Sequence, residues 1–257
     1  MPGDALRTRS APAAPTAVAM SAKDPRESGG ALKPQLDILP AEQRALWDEL
    51  APLRQLGFVL YGGTAIALRL GHRVSVDFDF FSNAPLNREQ LWDQLPCLRS
   101  GTLLQDEYNS ITSLVKAGAP NAGAKTVKLS LFGGLQLGRI ATPQITQDGV
   151  ALVASERDLL ATKLKVLLQR AESKDYIDIA ALTPHDSDLA CGLSGAMALY
   201  GSTFQPTEAL KALVFFEDGD LESLPQAVRV HLQTAVIRVG HLPAAPAVVP
   251  LLAPQLT

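Results

Sequence analysis

Two carboxylates separated by one residue, Asp77 and Asp79, are the strongest chemical signal in the sequence. If residues 74–81 form a strand, successive side chains point to opposite faces. Ser75, Asp77 and Asp79 then share one face, and Val76, Phe78 and Phe80 the other. At about 3.4 Å of rise per residue the two Asp Cα atoms stand roughly 7 Å apart, close enough for both carboxylates to meet one divalent cation. Without a cation, each charge makes the other harder to form. Mg2+ takes hard oxygen donors, commonly one or two carboxylates with substrate phosphates completing the shell, and Mn2+ shares the preference for carboxylate oxygen. Upstream, Gly62 and Gly63 predict a tight turn out of a strand at residues 58–61. Thr64 is the expected cap of the helix that follows, whose free N–H groups suit an anion. A phosphate-binding turn beside an acidic pair is the minimum equipment for a nucleoside triphosphate. Each part also has a plain structural reading: a solvated strand face, a glycine turn, an unremarkable strand serine at Ser75, a surface charge at Arg73. Arg69, on the short helix, reads as a structural partner.

A second group lies downstream. Ser155 and Asp158 fit a capping box, and Leu159, Leu160, Leu164, Leu167 and Leu168 supply the buried stripe of the helix they open. Lys163 lies on this apolar helix, where a cation can neutralise charge developing on a leaving phosphate. Arg170 follows two turns later on nearly the same face. Asp175 and Asp178, three residues apart, share one face of the next helix; a local ion-pair network with Arg170 and Lys174 is the alternative explanation. On an expected strand at residues 126–132, Lys128 and Ser130 share a face.

The run GGTAIALRLGHRVSVDFDFF over residues 62–81 resembles the nucleotidyltransferase superfamily, and within it the AbiEii/AbiGii toxin family. ASERDLLATKLKVLLQR (154–170) with KDYIDI (174–179) is similar to that family's later motif, and the resemblance spans residues 37–239. It implies an α/β (α+β) fold, a nucleotidyltransferase-like mixed sheet flanked by helices with a helical C-terminal part. It implies Asp77 and Asp79 as metal ligands for Mg2+ or Mn2+ and, with Lys163 and Asp175, as catalytic residues. Gly62, Gly63, Thr64, Arg73, Ser75 and Lys163 become nucleotide-binding, with Asp178, Arg170 and Ser130 in support. The implied reaction moves a nucleoside monophosphate from an NTP to an acceptor hydroxyl, with the 3′ end of a tRNA as acceptor, in the toxin of a toxin–antitoxin pair. A cognate antitoxin is then an expected partner. One position departs from the pattern. Many nucleotidyltransferases bring a third carboxylate from a later strand, and here Ser130 stands where it is expected; Glu107 or Asp175 are the substitutes in sequence. The other reading is therefore a non-catalytic nucleotide- or RNA-binding regulator on the same fold.

Bulk properties set the frame. The 257 residues can bury one large core or two small ones. A hydrophobic fraction of 47% is ordinary for a globular chain, and no apolar run reaches the length of a membrane span. A net charge of −3 argues against broad non-specific nucleic-acid binding while leaving room for a local basic groove. Two cysteines, Cys97 and Cys191, form no ligand pattern and fit a reducing, cytoplasmic home. The expected organisation is a disordered tail over 1–35, with Met20 an alternative start, a nucleotidyltransferase core over 36–153, a helical region over 154–240 and a flexible or loosely docked Ala/Pro-rich tail over 241–257. One helix is expected over 40–56 and another strand over 137–141. Thr207 and Ser223 are the expected caps of later helices.

Overall fold

The computed structural model describes residues 30–117, 125–185 and 188–255. Seven strands form one mixed sheet: β1 (Val59–Tyr61), β2 (Asp77–Phe81), β3 (Thr102–Glu107), β4 (Ser110–Ala117), β5 (Lys125–Phe132), β6 (Gln144–Ile145) and β7 (Leu152–Val153), in the order β3-β4-β5-β2-β1-β7-β6. β2 lies at the centre, antiparallel to β1 and parallel to β5. The helices described are α1 (Ala41–Leu46), α2 (Pro52–Gln55), α3 (Gly62–Leu70), α4 (Arg88–Gln94), α5 (Pro96–Arg99), α6 (Glu156–Leu167), α7 (Ser173–Leu182), α8 (Asp188–Tyr200), α9 (Pro206–Leu213) and α10 (Gln226–Arg238).

Alternation along β2 sorts its side chains as the sequence requires. Phe78 and Phe80 are fully buried, in register with Leu129 and Leu131 of β5, and Leu60 of β1 pairs with Phe80. Trp47 covers this face, its ring centroid 5.9 Å from that of Phe78. Each such side chain contributes about 1.5–3 kcal/mol relative to exposure. The opposite face carries Asp77 and Asp79 and meets the helical C-terminal part. Arg69 of α3 locks that face to β7: its guanidinium donates to the carbonyls of Val153 (3.0 Å) and Ala154 (2.8 Å) and to Gln144 Oε1 (2.7 Å).

Several expectations are corrected. The helix over 40–56 is broken into α1, a 3-10 turn at Trp47–Leu50 and α2, which starts at Pro52. Ladder pairing of β2 begins only at Asp77, so Ser75 precedes the strand. Ser155 caps α6, its Oγ accepting from Asp158 N–H at 3.1 Å. Thr207 and Ser223 do not cap: α9 starts at Pro206, and Ser223 Oγ donates to the Asp220 carbonyl. Residues 137–141 form no strand beyond one bridge between Arg139 and Val249. The Asp158 carboxylate takes the N–H groups of Ile140 (2.6 Å) and Ala141 (3.2 Å) that a neighbouring strand would otherwise use. The short strand β6 went unrecognised in the sequence.

Both ends of the described chain are held. Leu32 exchanges hydrogen bonds with Ile145 and Gln147, and Gln35 N–H donates to the Leu68 carbonyl at 2.8 Å, so the stretch expected as tail is tied down from residue 32; residues 1–29 lie outside the described residues. So do the expected loop residues Gly118, Pro120, Asn121 and Gly123. The C-terminal stretch, expected as a flexible or loosely docked tail, is docked. Val249 bridges Arg139, Asn83 Oδ1 accepts from Leu252 N–H at 2.6 Å, and Leu252 is 1% exposed. Leu252→Ala is therefore expected to cost about 2–3 kcal/mol in urea unfolding; a change within a few tenths would mean that the segment is loose in solution.

Candidate active site

The acidic face of β2 is assembled by register. Asp77 pairs with Lys128, Asp79 with Ser130 on one side and Tyr61 on the other, and Phe81 with Phe132. Paired residues point to the same side of a sheet, so these side chains form one surface. Lys128 Nζ lies 3.0 Å from Asp77 Oδ2. Burial and then the charge of Asp77 raise the Asp79 carboxyl above its ordinary value; Lys128, a hydrogen bond with Ser130, and Lys163 oppose that shift without cancelling it.

Glycine at position 62 is required by space and by conformation. Its φ of +72° is left-handed, and a Cβ there would lie 2.7 Å from Asp79 Oδ2. The sharp turn lets α3 begin at Gly62 itself, three residues earlier than a Thr64 cap would place it. Thr64 is consequently inside the helix and does not cap it; its Oγ1 donates to the Asp77 carbonyl and ties α3 to the start of β2. A Cβ on Gly63 would meet Arg73 Nη2 at 2.6 Å and Ser75 Oγ at 2.9 Å. The uncapped first turn of α3, Ser75 and Asp79 therefore meet at one point, and the free N–H groups there suit a phosphate.

The downstream motif folds into a buried ion cluster. Lys163 Nζ lies 2.7 Å from Asp175 Oδ1 and 2.6 Å from Asp178 Oδ2. Arg170 Nε donates to Asp175 Oδ2 at 2.8 Å. Arg73 grips Asp178 with both Nε and Nη2 at 2.7 Å, and His72 Nε2–H donates to Asp178 Oδ1 at 2.7 Å. Both Asp side chains are fully buried. Burial alone raises the carboxyl of Asp178, but the hydrogen bonds from His72 and Arg73, with the Lys163 charge, outweigh it and hold the acid well below the ordinary range. Asp175 is lowered against burial by Arg170 and Lys163.

Sequence reasoning thus paired the right residues with some of the wrong neighbours. Asp175, expected to be catalytic, has both oxygens held by Lys163 and Arg170. Asp178, expected in support, is the hub. Arg73, expected on phosphate, is committed to Asp178. Lys174 pairs with Glu172 at 2.7 Å instead of joining the cluster. Glu107 is no substitute third acid: it is exposed on β3, the edge strand, with β4 and β5 between it and β2. Lys128 on Asp77 and His72 on Asp178 were missed as site residues. Alternation on β5 was the available signal for Lys128; nothing local signals a contact between residues 72 and 178.

The donor set suits one hard cation. Asp77 and Asp79 face the same way, and burial, then the charge of Asp77, raises Asp79; a cation held between them would favour the ionised form. Among the described residues no group of three or more His, Cys, Asp or Glu could hold a metal ion, so a cation at the pair would draw its other donors from phosphate and water.

The family profile described as "Nucleotidyl transferase AbiEii toxin, Type IV TA system" matches residues 44–248. An uncharacterized Aquifex aeolicus protein, aq_aa25, is 27% identical over 184 residues, covering 70% of this chain and 84% of that protein. Among solved structures, an antigenic nucleotidyltransferase-like protein from Paracoccidioides brasiliensis is 18% identical, with 77% of this chain and 95% of that one covered, at a TM-score of 0.47. The nucleotidyltransferase toxin MenT4 from Mycobacterium tuberculosis is 14% identical, with 76% and 85% covered, also at 0.47.

The ion cluster yields a test of stability and of its sign with pH. Asp178→Asn leaves buried cations without a charged partner and is expected to cost about 3–5 kcal/mol in urea unfolding. Asp175 and Asp178 have folded values below the unfolded value near 4. Their stabilisation is present above about pH 4 and is lost as the pH falls toward the folded values. Asp79, raised, acts in the opposite sense and is relieved by protonation. Wild type should therefore lose stability below about pH 4, and Asp178→Asn should lose less over that range. Equal acid loss in both proteins would contradict the assignment.

Proposed function

The chain belongs to the AbiEii nucleotidyltransferase toxin family of type IV toxin–antitoxin systems, and from that premise we propose that it transfers a nucleoside monophosphate from an NTP to the 3′-terminal hydroxyl of an RNA, with tRNA as the acceptor. The observation that carries this reading is the meeting of Asp77 and Asp79 with the glycine turn of α3 under the charge of Lys163. Asp77 and Asp79 would hold Mg2+ (or Mn2+), which when bound supplies charge neutralisation at the transferring phosphate.

The chain's own residues do the remaining work. The first turn of α3, opened by Gly62 and Gly63, offers backbone N–H groups to phosphate oxygens, and Ser75 offers a hydroxyl beside them. Lys163 is held over the acidic face by two buried carboxylates, so its charge is fixed in place before substrate arrives and needs no reorganisation during the reaction. Arg170, whose charge also reaches Asp79, is anchored in the same way. Arg73, Asp175 and Asp178 orient these groups. The acceptor oxygen bonds to the α-phosphorus as the bond to pyrophosphate breaks. With Ser130 at the third position, the face carries no carboxylate beyond the pair to take the hydroxyl proton, which leaves to solvent. Two free cysteines, Cys97 and Cys191, fit the reducing cytoplasm where NTPs, RNA and a cognate antitoxin would be met. Among the described residues, no helix is long and apolar enough to cross a membrane.

One observation favours a second reading. Ser130 replaces an acid, and Lys128 already occupies Asp77, as suits a regulator that binds nucleotide without turnover. Incubating the protein with each α-phosphate-labelled NTP, Mg2+ and total RNA separates the two. Incorporation by wild type, reduced on the order of 100-fold or more in Asp77→Ala, is expected. Triphosphate binding without incorporation would establish the regulator, and a folded wild type that neither binds nor incorporates would overturn both.

A further inference from the structure

A cavity of about 350 Å³, within the range of small-molecule sites, is lined by Phe81, Phe132, Leu135, Gln136, Leu137, Leu199 and Tyr200. Its floor is the sheet face that carries Asp77 and Asp79. Phe81 follows Asp79 by two residues on β2, about 7 Å along the strand, and Phe132 is its partner on β5. The rings meet edge to face, centroids 5.5 Å apart at 87°. Tyr61 stacks on Phe81 at 4.8 Å and fixes its plane. One wall is the segment after β5, including Leu137, pinned because Asn83 Nδ2 donates to the carbonyls of Leu135 and Leu137 at 2.8 Å. The other wall is the end of α8, Leu199 and Tyr200. Lys165 of α6 lies 5.6 Å over the Tyr200 ring. The slot is therefore built before any ligand arrives, from both the sheet and the helical part.

Its chemistry is narrow. The lining is aromatic and aliphatic, and the two lining residues with polar side-chain groups are Gln136, which is exposed, and Tyr200. Burial, and then the charge of Asp158, raise the Tyr200 phenol, so it remains a donor. The Gln136 amide offers a donor and an acceptor side by side. A flat heteroaromatic ring with a polar edge suits these walls, and stacking on aromatic side chains accepts any base. Phosphates would repel the face only where Asp77 and Asp79 lack a cation, and the step from Asp79 to Phe81 is comparable to the reach of a ribose from phosphate to base.

We infer that this slot takes a nucleobase, that of a nucleotide whose phosphate lies at Asp77 and Asp79, with Gln136 reading its edge. The inference rests on the nucleotidyltransferase reading and goes beyond it, by naming where the base sits and which residue discriminates among bases. The base belongs either to the NTP or to the terminal nucleotide of the RNA.

The test compares wild type with Gln136→Trp, which fills the slot from an exposed lining position, and with Phe81→Leu, which removes a ring. Calorimetry with Mg2+ measures each NTP and inorganic tripolyphosphate, which has no base; fluorescence anisotropy measures a labelled single-stranded oligoribonucleotide. Loss of NTP affinity by about tenfold or more, with tripolyphosphate unchanged, assigns the slot to the NTP. The same loss confined to the oligoribonucleotide assigns it to the acceptor. If tripolyphosphate weakens in parallel with the NTP, or no ligand responds to either variant, the slot is overturned while the phosphate site stands. A wild type that binds neither NTP nor tripolyphosphate fails the transferase reading itself, and the slot with it.

Discussion

The buried contact of Lys163 with Asp175 and Asp178 is the interaction on which the site depends. An ammonium ion in a nearly dry position is costly unless its charge is met by partners of good geometry. Here two carboxylates of α7 meet it at 2.7 and 2.6 Å, and each is shared with a further cation, Arg170 or Arg73. The cluster joins the turn before β2 to α6 and α7. It holds Lys163 against the acidic face and simultaneously fixes Arg73 over Gly63. A single charge arrangement thus unites the two motifs, through contacts between residues that are 105 and 106 positions apart in the chain.

That arrangement also explains why residues of like appearance have different roles. Asp77, Asp79, Asp175 and Asp178 are all acids in motif positions. The first two stand on a partly open sheet face, where burial and mutual repulsion raise Asp79. The other two are fully buried and lowered by cations. The carboxylates of Asp175 and Asp178 have their charge met by Lys163, Arg170 and Arg73, whereas Asp79 is met by no ion pair among the described contacts. Lys128 supplies charge compensation at Asp77, on the same strand that places Ser130 beside Asp79. The face is thus equipped with two acids and two ammonium groups, Lys128 and Lys163.

Much of this was legible from residue types. The alternation of Asp77, Phe78, Asp79 and Phe80 gave the two faces of β2, because a strand leaves no freedom in that assignment. The leucine stripe and Ser155 cap gave α6. What failed or stayed open was of two kinds. Local capping rules misplaced Thr64, Thr207 and Ser223, because a left-handed glycine or a proline started the helix at another residue. Composition left open whether the C-terminal stretch docks, because whether an Ala/Pro-rich segment docks depends on partners elsewhere, here Asn83 and Arg139.

By itself the sequence determined the acidic pair, its face, the glycine turn that must lie beside it and the family motifs, since these follow from periodicity of two, from spacing and from the conformations only glycine tolerates. The tertiary structure alone decided that Asp178 rather than Asp175 is the hub, that Lys128 rests on Asp77, and that Phe81, Phe132 and Tyr200 enclose a slot. Each of these is a contact between residues distant in sequence, set by strand register and by the packing of α6, α7 and α8 on the sheet, and no local pattern encodes which distant partner a side chain will meet.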